Sequence, residues 1–315
     1  MSLPLADLLP AGATPTFSGH ETFALRGNWL KKSHDILRTT PDLFYRQDAF
    51  VLLGVGKNMA QSIRFWGRVC GIFAKSGDSR GHVISSLGHH LFDDRGWDPF
   101  LVTPTARWLL HWRIAARPET TFTWFYVFNM LRGGDFAIPD LAKEITDFVD
   151  RQGMRPPSET TLRRDIECLV SCYCPPEAGS AALSEDALAC PLLSLGLIQM
   201  LPGQQRYRLS IGTRLDLPLE IVAFAIREQM QRLNRKTIAF SDLAYAHGSP
   251  GRVFRLDEDT LLSYVTRIHE VTNNAAYYSD QAGIRHVAWP TIDDPEIAHH
   301  LLTQAFDSEA RYVSY

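Results

Sequence analysis

The amino-acid sequence predicts a mainly α fold with small β-hairpins, organised as tandem winged-helix-like units, each a helix-turn-helix followed by a wing. Three observations predict it. Apolar residues recur at helical spacing through several long stretches, with polar residues on the opposite face. Short apolar runs punctuated by Gly and Pro follow those stretches, as turns and small strands require. The order helix, turn, helix, hairpin then comes round again, in pattern though not in sequence identity.

The basic helix of the first unit organises the reading. In Val51 to Phe73, the residues Met59, Ile63, Trp66, Cys70 and Phe73 line one stripe, while Lys57, Gln61, Arg64 and Arg68 recur on the other face. Gly54 and Gly56 precede it, where a tight interhelical turn needs residues tolerant of positive φ. Upstream, Phe17 to Lys32 mixes the anchors Phe17, Phe23, Leu25 and Trp29 with dense polar chemistry: Ser18, His20, Glu21, Thr22 and Arg26. A helix follows over about 29–37, and Phe44 to Leu53 reads as a short helix entering the Gly54 turn. Residues 77–101, with Gly77, Gly81, Gly88 and Gly96, read as turns and small strands.

The chain divides into a lead-in over 1–16 and three units over 17–103, 104–215 and 216–315. The second unit carries helices near 105–114 and 121–131, one opening at Pro139, and one capped by Ser158. Its wing is a pair of strands about Pro202-Gly203. The third runs from a helix over 220–233 through a short helix capped by Ser241 and a longer one from Asp257 to Val271. A hairpin turning at Gly283 closes it. Its exposed face, with Glu258, Asp259, Arg267 and Glu270, is acidic and reads as scaffold.

Composition sets outer limits. The length suits about two to three compact units, and 17 Phe, 10 Tyr and 7 Trp argue against disorder. A net charge of −3 gives no global attraction for a polyanion, so any nucleic-acid contact must come from a local basic face. No apolar run reaches the roughly 18 residues of a membrane span, and the N-terminus lacks a secretory pattern, so no membrane partner and a cytoplasmic location are expected. Five cysteines without a framework pattern fit a reducing compartment.

Lys57 and Asn58 at the helix N-terminus, with Gln61, Arg64 and Arg68 along the face, have the chemistry of a DNA-reading helix: cations for phosphates, amides and guanidinium for base edges. An amphipathic core helix with a solvated basic face fits the same residues. Arg163 and Arg164 repeat the pattern in the second unit. GVGKN is neither a P-loop, since Val51 and Asn58 stand where Gly and Ser/Thr are needed, nor a dinucleotide fingerprint, since Met59 is not small.

FSGHETFALRGNWLKK (17–32), LGVGKNMAQSIRFW (53–66) and PLLSLGLI (191–198) together resemble a bacterial uncharacterised-domain family encoded beside DNA phosphorothioation genes. The resemblance implies a DNA-binding protein of a phosphorothioate-modification and phage-defence system that nicks one strand. Its partners would be DNA, a cysteine desulfurase, an ATP-dependent sulfur-transfer enzyme and an ATPase. A non-catalytic adaptor and a transcriptional regulator are the alternatives.

Nicking needs a proton carrier, charge stabilisation at phosphorus and usually a carboxylate-held cation. Within the matched stretch, His20 offers the proton carrier, Glu21 a ligand for Mg²⁺ or Mn²⁺, and Arg26 a phosphate clamp. The competing reading makes His20 and Glu21 hydrogen-bonded ties of the N-terminal segment. Asp93-Asp94 and Asp293-Asp294 read as turn residues, and His89-His90 and His299-His300 lack the spacing that puts two imidazoles on one helix face. The spacing of Cys168, Cys172, Cys174 and Cys190 argues against a zinc tetrad.

Overall fold

The computed structural model describes residue 9 and residues 13–77, 80–176 and 190–313; most of the expected lead-in lies outside them. Among the described residues the chain is mainly helical with three small antiparallel sheets. No helix among the described residues is long and apolar enough to cross a membrane.

In the N-terminal region, α1 (Gly27–Leu37) leads through a 3-10 turn at Leu43–Tyr45 to α2 (Ala49–Leu52) and α3 (Lys57–Val69). α3 buries Ile63 and Trp66 as the periodicity predicts. It ends earlier than predicted: Cys70 caps it and Phe73 opens β1 (Phe73–Lys75), which pairs with β2 (His82–Ile84). Gly54 takes a positive φ of 60°, whereas Gly56 is the extended N-cap at φ −69°, so only the first of the two needs glycine's left-handed freedom. α4 (Ser86–Phe92) forms where turns and strands were expected, with the Ser85 hydroxyl accepting from the Gly88 N–H.

At the centre lie α5 (Pro104–Ala115) and α6 (Phe122–Asn129), buried nearly all round, with Trp108, Trp112 and Trp124 fully enclosed. Next come β3 (Asp135–Phe136), α7 (Ile138–Arg151), α8 (Glu159–Tyr173), β4 (Ile198–Leu201) and β5 (Arg206–Leu209). The Ser158 cap is present, its hydroxyl accepting from the Thr161 N–H. β3 is too short to read from sequence and pairs with β5, giving the order β3-β5-β4.

The C-terminal third starts with α9 (Leu219–Arg232) and β6 (Thr237–Ala239). α10 (Phe240–Tyr245) begins one residue before Ser241, so Ser241 is inside the helix rather than its cap. α11 (Pro250–Val253) is capped by Ser249. The helix expected from Asp257 to Val271 is two pieces, α12 (Glu258–Thr266) and α13 (Ile268–Val271), separated at Arg267 with ψ near 0°. β7 (Tyr277–Gln281) and β8 (Ile284–Ala288) form the expected hairpin, β6 adds to β8, and α14 (Glu296–Val313), which the sequence reading missed, packs on α9.

The regions interlock through buried polar groups. Glu228 on α9 accepts from Trp112 Nε1 (2.7 Å), Arg113 (2.7 Å) and Arg117 (3.3 Å), fixing α9 to α5. Burial pushes its carboxyl up, but the charges of Arg113 and Arg117 outweigh that and hold it low.

Candidate nucleic-acid interface and histidine clusters

α3 has two sides with different jobs. Its buried side sends Trp66 Nε1 to the Phe23 carbonyl at 3.0 Å, tying it to the polar N-terminal stretch. Its outer side carries Lys57, Asn58, Gln61 and Arg68 in solvent, with Arg64 half-buried. Lys57, Gln61 and Arg64 join Phe44, Arg46, Gln47 and Phe50 around an open groove of ≈ 690 Å³. Lys57 Nζ lies 5.4 Å from the Phe50 ring centroid. Among the described residues, Lys57, Arg64 and Arg68 pair with no carboxylate, whereas Arg46 at the groove's edge is held by Asp48 at 2.9 Å. No acidic residue occupies the first turn of α3 and no side chain caps it, leaving its N-terminal amides and dipole uncompensated.

His82 registers this positive field. It is enclosed by Phe44, Tyr45 and Phe73, and its pKa is pushed down to about 4, by burial first and then by the charges of Arg68, Arg64 and Lys75. Arg163 and Arg164 stand exposed on α8, while the next residue, Asp165, turns inward.

That inward carboxylate claims His20. The His20 ring is 1% exposed, with Nε2 2.5 Å from Asp165 Oδ1. The Thr22 N–H donates to Nδ1 at 3.1 Å, which puts the ring proton on Nε2, facing the carboxylate. Asp165 also accepts from the Ser18 N–H at 2.8 Å and from the Thr123 hydroxyl. Phe65, Trp66 and Trp124 close around the imidazole. Glu21, half-exposed, does not share this enclosure, and the loop holds Ser18, Glu21 and Thr22 at positive φ. Arg26 lies 4.9 Å from the Trp29 ring centroid. Of the three predicted catalytic residues, His20 is enclosed, Glu21 is half-exposed and Arg26 lies against Trp29.

A different trio converges. One donor atom each from His34 on α1, His89 on α4 and Asp93, the C-cap of α4, lie within 4.8 Å of one another. Local sequence held one clue, the four-residue step from His89 to Asp93; the contribution of His34 depends on α1 meeting α4.

The five cysteines are free and buried, and burial raises each thiol. Cys190 Sγ lies 3.2 Å from the Cys172 carbonyl oxygen, to which it donates.

Comparison with known proteins supplies the remaining findings. No curated protein matches. Among solved structures, the chain is similar to one described as an SspB crystal structure, at 27% identity and a TM-score of 0.83, over 94% of this chain and 90% of the other. It is similar in fold to a magnesium ion-bound SspB crystal structure, at 24% identity and a TM-score of 0.80, over 98% and 100%. The family described as Protein of unknown function (DUF4007) matches residues 17–306. That match runs from the polar N-terminal stretch into α14, and the chain belongs to the DUF4007 family.

Proposed function

We propose that this chain is a DNA-binding component of a phosphorothioate-modification system, gripping a duplex along the outer face of α3 and nicking one strand. The observation that carries the binding is the cationic face of α3, where Lys57 and Arg64 line the groove and Arg68 lies further along the helix, all three without a carboxylate partner among the described residues, beside exposed Asn58 and Gln61 on a chain of net charge −3. Local positive charge on an acidic protein has no need of pairing if a polyanion supplies it.

The sheet connections support winged-helix-like units. β3 precedes α7 and α8 and pairs with the second strand of the hairpin that follows; β6 stands in the same relation to β7 and β8. The first unit is a reduced version, α2, turn, α3 and a two-stranded wing. Arg163 and Arg164 on α8 extend the proposed DNA footprint. The likeness to SspB and the family motifs support the phosphorothioation setting, with a cysteine desulfurase, an ATP-dependent sulfur-transfer enzyme and an ATPase as the proposed partners.

In the nicking reading, Glu21 is the proposed cation ligand, Arg26 the phosphate clamp and His20 the proton carrier. A magnesium ion, such as one SspB structure holds, seeks oxygen donors. Glu21 offers oxygen donors, whereas the converging trio, with two imidazoles, suits magnesium poorly. The adaptor reading is favoured by one observation: both ring nitrogens of His20 are already engaged inside the protein.

Two measurements test the proposal. Lys57→Ala with Arg64→Ala is expected to weaken duplex binding and reduce the log–log salt slope by about 2, at roughly 0.9 per phosphate contact, with thermal stability unchanged. An unchanged slope sinks the assignment of α3. Incubated with Mg²⁺ or Mn²⁺, supercoiled plasmid becomes open circles, an activity lost with EDTA and with Glu21→Ala; intact plasmid with normal binding selects the adaptor.

A further inference from the structure

The geometry points to a binding site for a borderline first-row transition dication, Zn²⁺ or Co²⁺ in class, formed by His34, His89 and Asp93. It shares no residue with the α3 groove and rests on none of the DNA reading.

His34 lies on the buried stripe of α1 with Trp29, Leu30, Ser33 and Leu37, and its side chain is 0% exposed. Its Nδ1 is 3.0 Å from Asp35 Oδ1, and Asp35 is held in turn by Lys31 Nζ at 2.6 and 2.7 Å. A carboxylate accepts only from a protonated nitrogen, so a ring proton sits on Nδ1, and in the neutral ring Nε2 presents a lone pair. That Nε2 faces Asp93 Oδ1 at 3.2 Å, within ion-pair distance but off hydrogen-bond geometry, and has no hydrogen-bond partner. Two lone pairs facing each other at such a distance, one of them fully buried, repel unless a cation lies between them.

The third donor is already in place. His89 Nδ1 lies 3.4 Å from the same Asp93 oxygen, a long hydrogen bond whose proton a dication would displace as the ring takes its other tautomer. Two ligands on one tetrahedral ion, each about 2.0–2.1 Å from it, stand about 3.4 Å apart, so the two observed separations are those of ligand pairs. The side chains of His89 and Asp93 are 49% and 45% exposed, leaving an open side where water or a phosphate oxygen completes the coordination. Behind the cluster, Asp35 plays the part of the carboxylate that orients a metal-bound imidazole. Two imidazoles and one carboxylate select Zn²⁺, Co²⁺ and their neighbours over Mg²⁺.

The competing occupant of Nε2 is a second proton, and titration separates the two. Chelator-treated full-length protein is titrated with Zn²⁺ by calorimetry and with Co²⁺ by its visible ligand-field absorption. One equivalent is expected to bind, undisturbed by excess Mg²⁺. His89→Ala and Asp93→Asn alter half-exposed side chains and keep the fold, and each is expected to weaken binding more than about 10-fold. Asp35→Asn, which touches no ion, is expected to weaken it about 10- to 100-fold while leaving the stoichiometry at one. Wild-type protein that takes up neither ion overturns the site, as does the double variant His89→Ala/Asp93→Asn binding like wild type. A His34 ring that carries protons on both nitrogens in NMR spectra and ignores Zn²⁺ also overturns it.

Discussion

His20 and His34 are both shut away from solvent and both face a carboxylate, yet they are opposites in what they have left to give. Every polar atom of the His20 ring has a partner, and Asp165 receives the imidazole, a backbone N–H and a hydroxyl together. The His34 ring is satisfied on one nitrogen only, and the other opens toward a half-exposed carboxylate. Saturation inside an aromatic box lets His20 fasten the N-terminal stretch to α8. A spare lone pair at a wet rim makes His34 a ligand. Burial alone does not distinguish the two; the count of unmet hydrogen bonds does.

The largest expected effect breaks this comparison at the fastener. Asp165→Ala strands a buried imidazole, the Ser18 N–H and the Thr123 hydroxyl at once, and is expected to cost about 3–5 kcal/mol of unfolding free energy. The matching change at the other cluster, Asp93→Asn in metal-free protein, removes no satisfied hydrogen bond to His34 and is expected to stay within about 0.5 kcal/mol. Urea denaturation of both variants checks the pair. Equal losses would mean that the carboxylates serve the same purpose.

A smaller, pH-dependent effect extends the comparison to His111, saturated like His20. Its Nε2 lies 2.8 Å from the Val253 carbonyl, to which it donates, and its Nδ1 2.8 Å from the Tyr173 hydroxyl. Burial pushes its pKa down to about 3, against a lesser opposing pull from the Val253 carbonyl. The His82 value is near 4. Both rings thus bind protons more readily in the unfolded chain, and stability that is fully present above about pH 6.5 is lost as pH falls toward those values. Each ring is expected to contribute about 1 kcal/mol per pH unit across that window. Denaturation midpoints between pH 7 and 4.5 check this, and His82→Gln is expected to flatten part of the slope while leaving the His111 part.

Much of this architecture was legible because periodicity is a local property. The stripe of Ile63 and Trp66, the Ser158 cap and the Gly283 hairpin turn each declare themselves within a few residues. α4 was missed because Gly88 and two histidines interrupt its apolar run. The structure gives the reason for that glycine: a Cβ there would stand 2.3 Å from the Ile72 carbonyl oxygen, so the helix sits on that backbone only without one. Losing α4 also lost the meeting of His89 with the C-cap residue Asp93, and with it the His34 cluster. The catalytic reading of His20 rests on Glu21 and Arg26 being near in sequence, whereas the tie that encloses its ring is not local. Asp165, which bonds to His20 Nε2, lies on α8, 145 residues further along the chain, and nothing local announces the meeting.

The smallest expected effect turns His82 into a reporter for the basic face. Burial, the larger cause of its low pKa, does not change when a ligand binds outside; the repulsion from Arg68, Arg64 and Lys75 does. Phosphates neutralising those cations are therefore expected to move the His82 titration upward from about 4, part of the way toward its ordinary value of 6.5. Arg68→Ala in the free protein is expected to move it the same way by less, since one of three charges is removed. NMR titration of the ring, with and without a short duplex, reads both. The two shifts share one cause, so the duplex-induced shift must shrink in Arg68→Ala and fade as added salt screens the surface. A duplex that binds without moving His82 is bound somewhere else, and the exposed arginines of α8 would then be the face to examine.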